Sequence, residues 1–153
     1  MKPLQKGALA PEFEGVDQDG NVVRLNDCLA KGPVVLFFYP RAMTKGCTAE
    51  ACHFRDLAGE LSAVGALRLG VSTDSVERQG KFAVKHDLDF PLLSDPDRTI
   101  AAAFGVKRPG PVFNRRVTFV IGTDRRIIEV IASETNMDSH ADGALVALGA
   151  TGR

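Results

Sequence analysis

The sequence of 153 residues has no net charge, no long apolar run and few cysteines, and each absence excludes a class of protein. Nineteen Lys and Arg residues balance nineteen Asp and Glu residues, so no basic surface is predicted for nucleic acid or an anionic membrane. The longest apolar run, Val34 to Tyr39, is far shorter than the ~20 residues of a membrane span. The segment MKPLQKGALAPEF lacks the apolar stretch of a secretory signal. We therefore expect a soluble, cytoplasmic protein that binds neither nucleic acid nor membrane.

The three cysteines, a small and odd number, do not predict a disulfide framework. Structural disulfides are rare in the cytoplasm, so any disulfide in this chain is expected to be transient and catalytic. The chain also has no internal repeat, no low-complexity segment and no linker rich in Pro, Gly or Ser. Its length suits one compact domain over residues 1–153.

The sequence does contain a regular alternation of strand and helix patterns. The run VVLFFY at 34–39 is typical of a strand buried on both faces, and apolar residues between Thr48 and Val64 recur at helical spacing before Gly65. The other predicted elements are a hairpin over 12–27, strands over 67–74 and 90–95, helices over 76–87, 97–106 and 138–149, a loop over 110–114 and a hairpin over 115–132. This order predicts an α/β protein with a mixed central sheet flanked by helices, as in the thioredoxin fold, with an added N-terminal β-hairpin.

The stretch YPRAMTKGCTAEACHFRD at 39–56 carries most of the functional information. A helix that begins near residues 44–46 places Cys47 in its first turn, where unpaired N–H groups and the helix dipole favour a thiolate. Complete ionisation of a cysteine adds only about 30-fold to its reactivity at neutral pH. Any larger acceleration needs groups that bind the charge developing on the substrate.

This stretch resembles the active site of a peroxiredoxin. Pro40, Thr44 and Cys47 form the pattern P-x-x-x-T-x-x-C, and FFYPRAMTKGCTAEACHFRD as a whole is similar to the PrxQ, or bacterioferritin-comigratory, subfamily. The similarity continues through APEF, GVSTD, FPLLSDPD and RVTFVI, and so covers nearly the whole chain.

The resemblance implies a role for each of five residues. Cys47 corresponds to the peroxidatic cysteine, whose thiolate attacks a peroxide and becomes a sulfenic acid. Thr44 corresponds to the threonine that holds the peroxide, and Pro40 to the proline that shields the site from water. Arg116 corresponds to the arginine that fixes the thiolate and stabilises the peroxide. Cys52 corresponds to the resolving cysteine found on the same helix in some PrxQ members.

The activity that the resemblance implies is reduction of hydrogen peroxide and organic hydroperoxides. The sulfenic acid on Cys47 would be resolved by Cys52 as an intramolecular disulfide, which thioredoxin or a similar dithiol reductant would reduce. We expect a monomer, because the chain lacks the C-terminal extension with a second-subunit cysteine that obligately dimeric peroxiredoxins have. No cofactor is expected.

Three positions depart from the family pattern. Lys45 stands where the family usually has Pro, which bears on the stiffness of the loop before Cys47. Gly122 stands where the family usually has Asp, at a turn remote from the chemistry. Arg115 adjoins Arg116, and because strand residues alternate between faces, only one of the two can reach Cys47.

Several of these residues also have simpler interpretations. Cys52 could pack on the inner face of the helix, and Thr44 could be no more than an N-cap. Cys28 has no motif around it and is expected to be a core residue. Glu50 either contributes to the electrostatics of the first helical turn or orients Arg116, and the sequence leaves both interpretations open.

No metal site is predicted. His53 follows Cys52, but adjacent helical residues point about 100° apart, and no second cluster of ligands completes a site. His140, at the start of the last helix, is predicted to make local hydrogen bonds.

Three other functions use a reactive or metal-binding cysteine. A thioredoxin-type disulfide oxidoreductase needs C-x-x-C, and here the spacing from Cys47 to Cys52 is wider. A cysteine phosphatase or arsenate reductase needs Arg six residues after the nucleophile, where this chain has His53. A peroxide sensor or a metal-binding module would not consume peroxide at catalytic protein concentration.

Overall fold

A computed structural model describes residues 2–110 and 113–151 of the chain. Its strands are β1 (Glu14–Val16), β2 (Val22–Arg24), β3 (Val34–Phe38), β4 (Leu67–Ser72), β5 (Leu92–Ser94), β6 (Val117–Ile121) and β7 (Ile127–Ala132). Its helices are α1 (Leu25–Leu29), α2 (Lys45–Asp56), α3 (Ala58–Ala63), α4 (Val76–His86), α5 (Thr99–Phe104) and α6 (Asp138–Thr151). None of the helices in this part of the chain is long and apolar enough to cross a bilayer.

The strands form one mixed sheet in the order β2-β1-β5-β4-β3-β6-β7. β3, β4 and β5 are parallel, whereas β6 is antiparallel to β3 and β7 is antiparallel to β6. The N-terminal hairpin of β1 and β2 joins this sheet where Val16 pairs with Ser94. The prediction of a thioredoxin-like fold with a mixed central sheet and an added hairpin is therefore confirmed.

The central strand β3 separates two apolar cores. Leu36 and Phe38 pack with residues of α1 and α5 on one face of the sheet, whereas Val35 and Phe37 pack with residues of α2, α4 and α6 on the other. All five residues of β3 are buried, because helices cover both faces. This arrangement explains why the strand reads as a continuous apolar run rather than as an alternation.

Two helical segments differ from the prediction. The single helix expected up to Gly65 is two helices, since the backbone at Leu57 (φ −94°, ψ 17°) leaves the helical conformation between α2 and α3. Apolar spacing did not reveal the break, because both helices contribute apolar residues to the same core. α1 was not predicted at all. It has five residues, too few for a periodic pattern, and is held by the buried Leu25 and Leu29.

The other elements match their predicted positions within a few residues. Gly105 ends α5 in the left-handed conformation (φ 75°), as expected of a glycine after a helix. Gly122 lies in the turn between β6 and β7, as predicted. Pro111 and Val112, part of the predicted loop over 110–114, lie outside the described residues.

Candidate active site

Cys47 lies in the first turn of α2, the helix that follows β3. The chain leaves β3 through Tyr39 and Pro40, and Met43 then takes a left-handed backbone conformation (φ 70°) that turns it into the helix. Thr44 occupies the N-cap position with an extended backbone. Cys47 is the third residue of α2, as the sequence predicts, and its side chain is 1% exposed.

The Cys47 sulfur accepts two hydrogen bonds. The backbone N–H of Arg41 lies 3.5 Å from Sγ, and Nη1 of Arg116 lies 3.4 Å from it. One donor is a peptide group of the loop that precedes α2, and the other is the guanidinium of Arg116, the residue before β6. Both donors stabilise negative charge on sulfur, so the site is suited to a nucleophilic thiolate.

The register of the sheet brings Arg116 to this position. Val117, the first residue of β6, pairs with Phe38, the last residue of β3, so the residue before β6 lies beside the loop that leads into α2. Arg116 contacts the sulfur, whereas the backbone N–H of Arg115 bonds to the Val106 carbonyl. Of the two adjacent arginines, the one chosen from the resemblance is therefore the one at the cysteine.

Glu50 is the second partner of the Arg116 guanidinium. Its Oε1 accepts a hydrogen bond from Nη1 at 2.7 Å, and its side chain is fully buried one turn after Cys47. Burial acts to lower the pKa of Arg116, but the neighbouring Glu50 and Cys47 outweigh it and raise that pKa. Of the two interpretations of Glu50, the geometry matches the one in which it orients Arg116.

Gly46 makes room for the guanidinium. A Cβ at this position would lie 3.2 Å from Arg116 Nη2 and 2.9 Å from the terminal methyl of Met137. A side chain here would therefore press on the arginine that contacts the sulfur. This role of Gly46 could not be predicted from the sequence, because it depends on packing between α2 and residues far along the chain.

His140 adjoins Glu50 and was not predicted as part of the site. It is fully buried on α6, and its Nδ1 lies 2.8 Å from Thr118 Oγ1 and 3.6 Å from Glu50 Oε2. Its Nε2 lies 2.8 Å from the Ser133 carbonyl, so the predicted local hydrogen bond is one of several contacts. Thr118, on β6, follows Arg116 by two residues. Because residues two apart in a strand point to the same face of the sheet, the position of Thr118 beside the site could have been inferred from the sequence.

Burial has opposite effects on the two ionisable groups behind the arginine. It raises the pKa of Glu50 to about 8, although the nearby Arg116 acts to lower it. Burial lowers the pKa of His140, and the positive charge of Arg116 acts in the same direction. Both groups thus favour their neutral forms in this pocket more than they do in water.

Thr44 and Pro40 make no hydrogen bond to the sulfur within the described residues. The exposed Thr44 hydroxyl donates to the Arg41 carbonyl at 2.8 Å and does not cap the helix with its side chain, contrary to the simpler N-cap interpretation. Pro40 is half-buried beside Tyr39. Lys45, in place of the family's usual Pro, is exposed at the first position of α2.

The other two cysteines differ sharply in their surroundings. Cys52 is half-buried five residues after Cys47 on the same unbroken helix, and all three cysteines are free thiols. Cys28 packs against the core on the opposite face of the sheet from Cys47. Burial raises the pKa of the Cys28 thiol, which reduces its reactivity. Cys28 is half-buried on α1 rather than a fully buried core residue.

The residue after Cys52 connects α2 to α6. His53 Nε2 lies 2.7 Å from Asp142 Oδ1. The part of the chain that the structure describes contains no group of three or more potential ligands that could hold a metal ion.

Comparisons of the sequence and the structure with known proteins identify relatives of this chain. The profile of the AhpC/TSA family matches residues 7–130. A putative peroxiredoxin of Mycobacterium tuberculosis is 55% identical over 150 residues, which cover 95% of this chain and 96% of the relative. Peroxiredoxin Bcp of Escherichia coli (strain K12) is 40% identical over 151 residues, with the same coverage of the two chains. The crystal structure of peroxidoxin BcpB from M. tuberculosis superposes with a TM-score of 0.93 at 54% identity, covering 96% of this chain and 97% of that one.

The raised pKa of Glu50 predicts a pH-dependent loss of stability. Because the folded protein keeps a proton that the unfolded chain has lost, this contribution is present below about pH 4.5 and is lost as the pH rises through about 8. We expect the free energy of unfolding of wild type to fall, relative to Glu50→Gln, by up to about 1.4 kcal/mol per pH unit between about pH 6.5 and 7.5. Urea denaturation across this range measures the difference.

Glu60→Gln, at an exposed position of α3, is the matched control and should leave the pH dependence as in wild type. His140 is present in both wild type and Glu50→Gln, so its own contribution to the slope largely cancels from the difference between the two curves. A wild-type curve parallel to that of Glu50→Gln would contradict the prediction.

Proposed function

The chain belongs to the AhpC/TSA family, and we propose that it is a thiol peroxidase that reduces hydrogen peroxide and organic hydroperoxides with Cys47 as its nucleophile. The observation that carries this proposal is the buried Cys47 sulfur held between the Arg41 N–H and Arg116 Nη1. A cysteine in the first turn of a helix, beside a cation, has the surroundings of a reactive thiolate.

The reaction begins with attack of the Cys47 thiolate on the terminal oxygen of the peroxide. An S–O bond forms as the O–O bond breaks, Cys47 becomes a sulfenic acid, and the departing alkoxide or hydroxide takes a proton to leave as alcohol or water. Negative charge moves from sulfur to the departing oxygen, so donors are needed near both atoms. The Arg116 guanidinium and the N–H groups at the start of α2 are the donors available there.

Thr44 and Pro40 complete the proposed peroxide site. The Thr44 hydroxyl donates to the Arg41 carbonyl, and its oxygen can at the same time accept the O–H of a peroxide. This pairing would hold the substrate at the mouth of the pocket. Pro40 is half-buried next to Tyr39 and has no N–H with which to bind water.

Cys52 is the proposed resolving cysteine, and the helix must open for it to act. Five residues of regular helix place two Cα atoms roughly 8.6 Å apart, whereas a disulfide needs about 7 Å or less. α2 runs unbroken from Lys45 to Asp56, so the pair cannot bond in this conformation. We infer that residues 44–53 unwind after oxidation and that a thioredoxin-like dithiol reduces the resulting disulfide. The enzyme would act as a single-domain monomer in the cytoplasm.

Replacement of each cysteine tests these roles. Cys47→Ser should reduce peroxide consumption with thioredoxin and its reductase to the rate without protein, because a hydroxyl is not ionised at neutral pH. Cys52→Ser should react once and then stop, whereas Cys28→Ser should turn over like wild type. Intact mass after one equivalent of peroxide should give a loss of two hydrogens in wild type and a gain of one oxygen in Cys52→Ser.

Several outcomes would contradict the assignment. Retention of most turnover by Cys47→Ser would mean that another residue is the nucleophile. Loss of turnover in Cys28→Ser would make Cys28 the resolving cysteine. A wild-type protein that is oxidised once but never consumes peroxide catalytically would be a sensor rather than a peroxidase.

The two adjacent arginines provide a matched test of transition-state stabilisation. Arg116→Lys should slow the reaction with peroxide at least about tenfold even at a pH where Cys47 is fully ionised, because Lys lacks the planar fork of donors. Arg115→Lys should react at nearly the wild-type rate. Recovery of Arg116→Lys at high pH would show that Arg116 affects only ionisation, and a larger defect in Arg115→Lys would reverse the assignment.

Amide hydrogen exchange tests the unwinding of α2. Protection of residues 47–56 should fall when one equivalent of peroxide converts the reduced protein to the disulfide form, while β3 stays protected. Oxidised Cys52→Ser is the control and should keep α2 protected, since it cannot form the disulfide. The inference fails if α2 is equally protected in a sample whose mass shows the bond between Cys47 and Cys52.

A further inference from the structure

The peptide group between Arg41 and Ala42, in the loop before α2, is held at both of its polar atoms. Its N–H, which belongs to Ala42, donates to Asp74 Oδ2 at 2.7 Å. Its carbonyl, which belongs to Arg41, accepts the Thr44 hydroxyl at 2.8 Å. The next carbonyl, on Ala42, accepts from Arg78 Nη2 at 3.0 Å. Two side chains from outside the loop, one just after β4 and one on α4, therefore fix successive peptide groups of the loop.

Asp74 and Arg78 form an ion pair against this loop. Arg78 Nε lies 2.8 Å from Asp74 Oδ1, and the Asp74 side chain is almost fully buried. The carboxylate also accepts the Ser72 hydroxyl at 2.6 Å. Ser72 accepts in turn from Gln79 Nε2 at 2.9 Å, and Gln79 accepts the hydroxyl hydrogen of Tyr39, at the start of the loop. These bonds leave the carboxylate little freedom to rotate away from the loop.

The peptide group held by Asp74 adjoins two contacts that the proposed mechanism uses. The preceding N–H, on Arg41, donates to Cys47 Sγ at 3.5 Å, and the Thr44 hydroxyl is the proposed ligand of the peroxide. Because a peptide group is planar, its rotation would withdraw the Arg41 carbonyl from Thr44. The same rotation changes the torsions of Arg41 and so redirects its N–H. A misdirected donor contributes little, since hydrogen bonds weaken steeply with angle.

The backbone after Ala42 also needs support. Met43 has a left-handed conformation (φ 70°), which is unfavourable for a residue other than glycine and persists only where surrounding contacts hold it. The bond from Arg78 holds the peptide group that links Ala42 to Met43. It therefore contributes to the turn by which the chain enters α2.

We propose that Asp74 and Arg78 are positioning residues for the peroxide reaction. They hold the peptide groups on either side of Ala42, and this orientation directs the Arg41 N–H at the sulfur. It also places the carbonyl that orients the Thr44 hydroxyl. The inference rests on the proposed function. Since the pair consists of a carboxylate and a guanidinium, it brings no net charge to the site and acts through geometry.

Substitution of Asp74 is compared with substitution of a second buried aspartate. Asp74→Ala removes the acceptor of the Ala42 N–H, whereas Asp74→Asn can keep one acceptor oxygen there. Asp95→Ala is the matched control. Asp95 is similarly buried and accepts two backbone N–H groups of α5, whose buried residues lie on the opposite face of the sheet from Cys47.

Two rate constants are measured for each protein at a pH on the plateau of the alkylation rate, where Cys47 is fully ionised. One is for hydrogen peroxide, from residual peroxide after rapid mixing. The other is for alkylation by iodoacetamide, from the mass of the peptide that contains Cys47. Alkylation needs the thiolate but no donor to a departing oxygen. A loss of fold or of ionisation changes both rates, whereas a misdirected loop changes only the rate with peroxide.

We expect Asp74→Ala to react with peroxide about tenfold more slowly than wild type, as when one hydrogen bond to a charged group is weakened, with alkylation within about twofold. Asp74→Asn should recover to within about threefold of wild type. Asp95→Ala should keep both rates. The proposal is wrong if Asp74→Ala keeps the peroxide rate, if it loses both rates equally, or if Asp95→Ala shows the same selective loss.

Arg78→Gln keeps the test decisive if Asp74→Ala folds poorly. Arg78 is half-buried, and the shorter side chain would lose both the ion pair and the bond to the Ala42 carbonyl. We expect the peroxide rate to fall about threefold with alkylation unchanged, and an unchanged peroxide rate would overturn the proposal. A wild-type protein that does not react with peroxide would refute the proposed function itself. An active wild type whose rate these variants retain would refute only the roles of Asp74 and Arg78.

Discussion

The candidate site depends on one buried cation, the guanidinium of Arg116. A charge removed from water is unfavourable by several kcal/mol unless it is paired and hydrogen-bonded. Arg116 meets this requirement with Glu50 at 2.7 Å and Cys47 at 3.4 Å, both on α2. The arginine thus links the first turns of α2 to β6. Removal of either α2 partner would leave the charge less compensated, so the contacts of Arg116 with Cys47 and Glu50 also hold the helix against the sheet.

The sheet supplies the precision that this contact requires. β6 is antiparallel to β3, and the pairing of Val117 with Phe38 places Arg116 next to the loop that begins α2. Because both strands are fully buried, a slip of one residue would exchange their core faces and move the arginine to the wrong side. The packing of β3 and β6 in the core therefore determines the position of the Arg116 guanidinium, which is not itself part of the apolar core. The space for that group is the gap left by Gly46.

Local patterns predicted most of the fold, and a resemblance predicted the main residues of the site. The order of strands and helices follows from periodicity, whereas α1 was too short to detect and the break at Leu57 lies within an uninterrupted apolar pattern. Cys47 was assigned because the motif P-x-x-x-T-x-x-C is specific, whereas Arg116 was assigned from the resemblance of the segment RVTF. The positions of His140 and Gly46 could not be predicted, since each depends on packing between segments that are about ninety residues apart in the chain. The spacing of residues along the chain does not predict contacts between such distant segments.

The hydrogen bond between His53 and Asp142 has a consequence for the lifetime of the oxidised enzyme. It ties the residue next to Cys52 to α6, and Arg55 donates to the carbonyl of His86, the last residue of α4. If α2 opens as proposed, these two hydrogen bonds oppose the opening. They then affect the lifetime of the Cys47 sulfenic acid before Cys52 reacts with it. During that wait a second peroxide can oxidise the sulfur irreversibly. In the proposed mechanism, the peroxide dose that the enzyme survives would therefore depend in part on these contacts of α2 with α4 and α6.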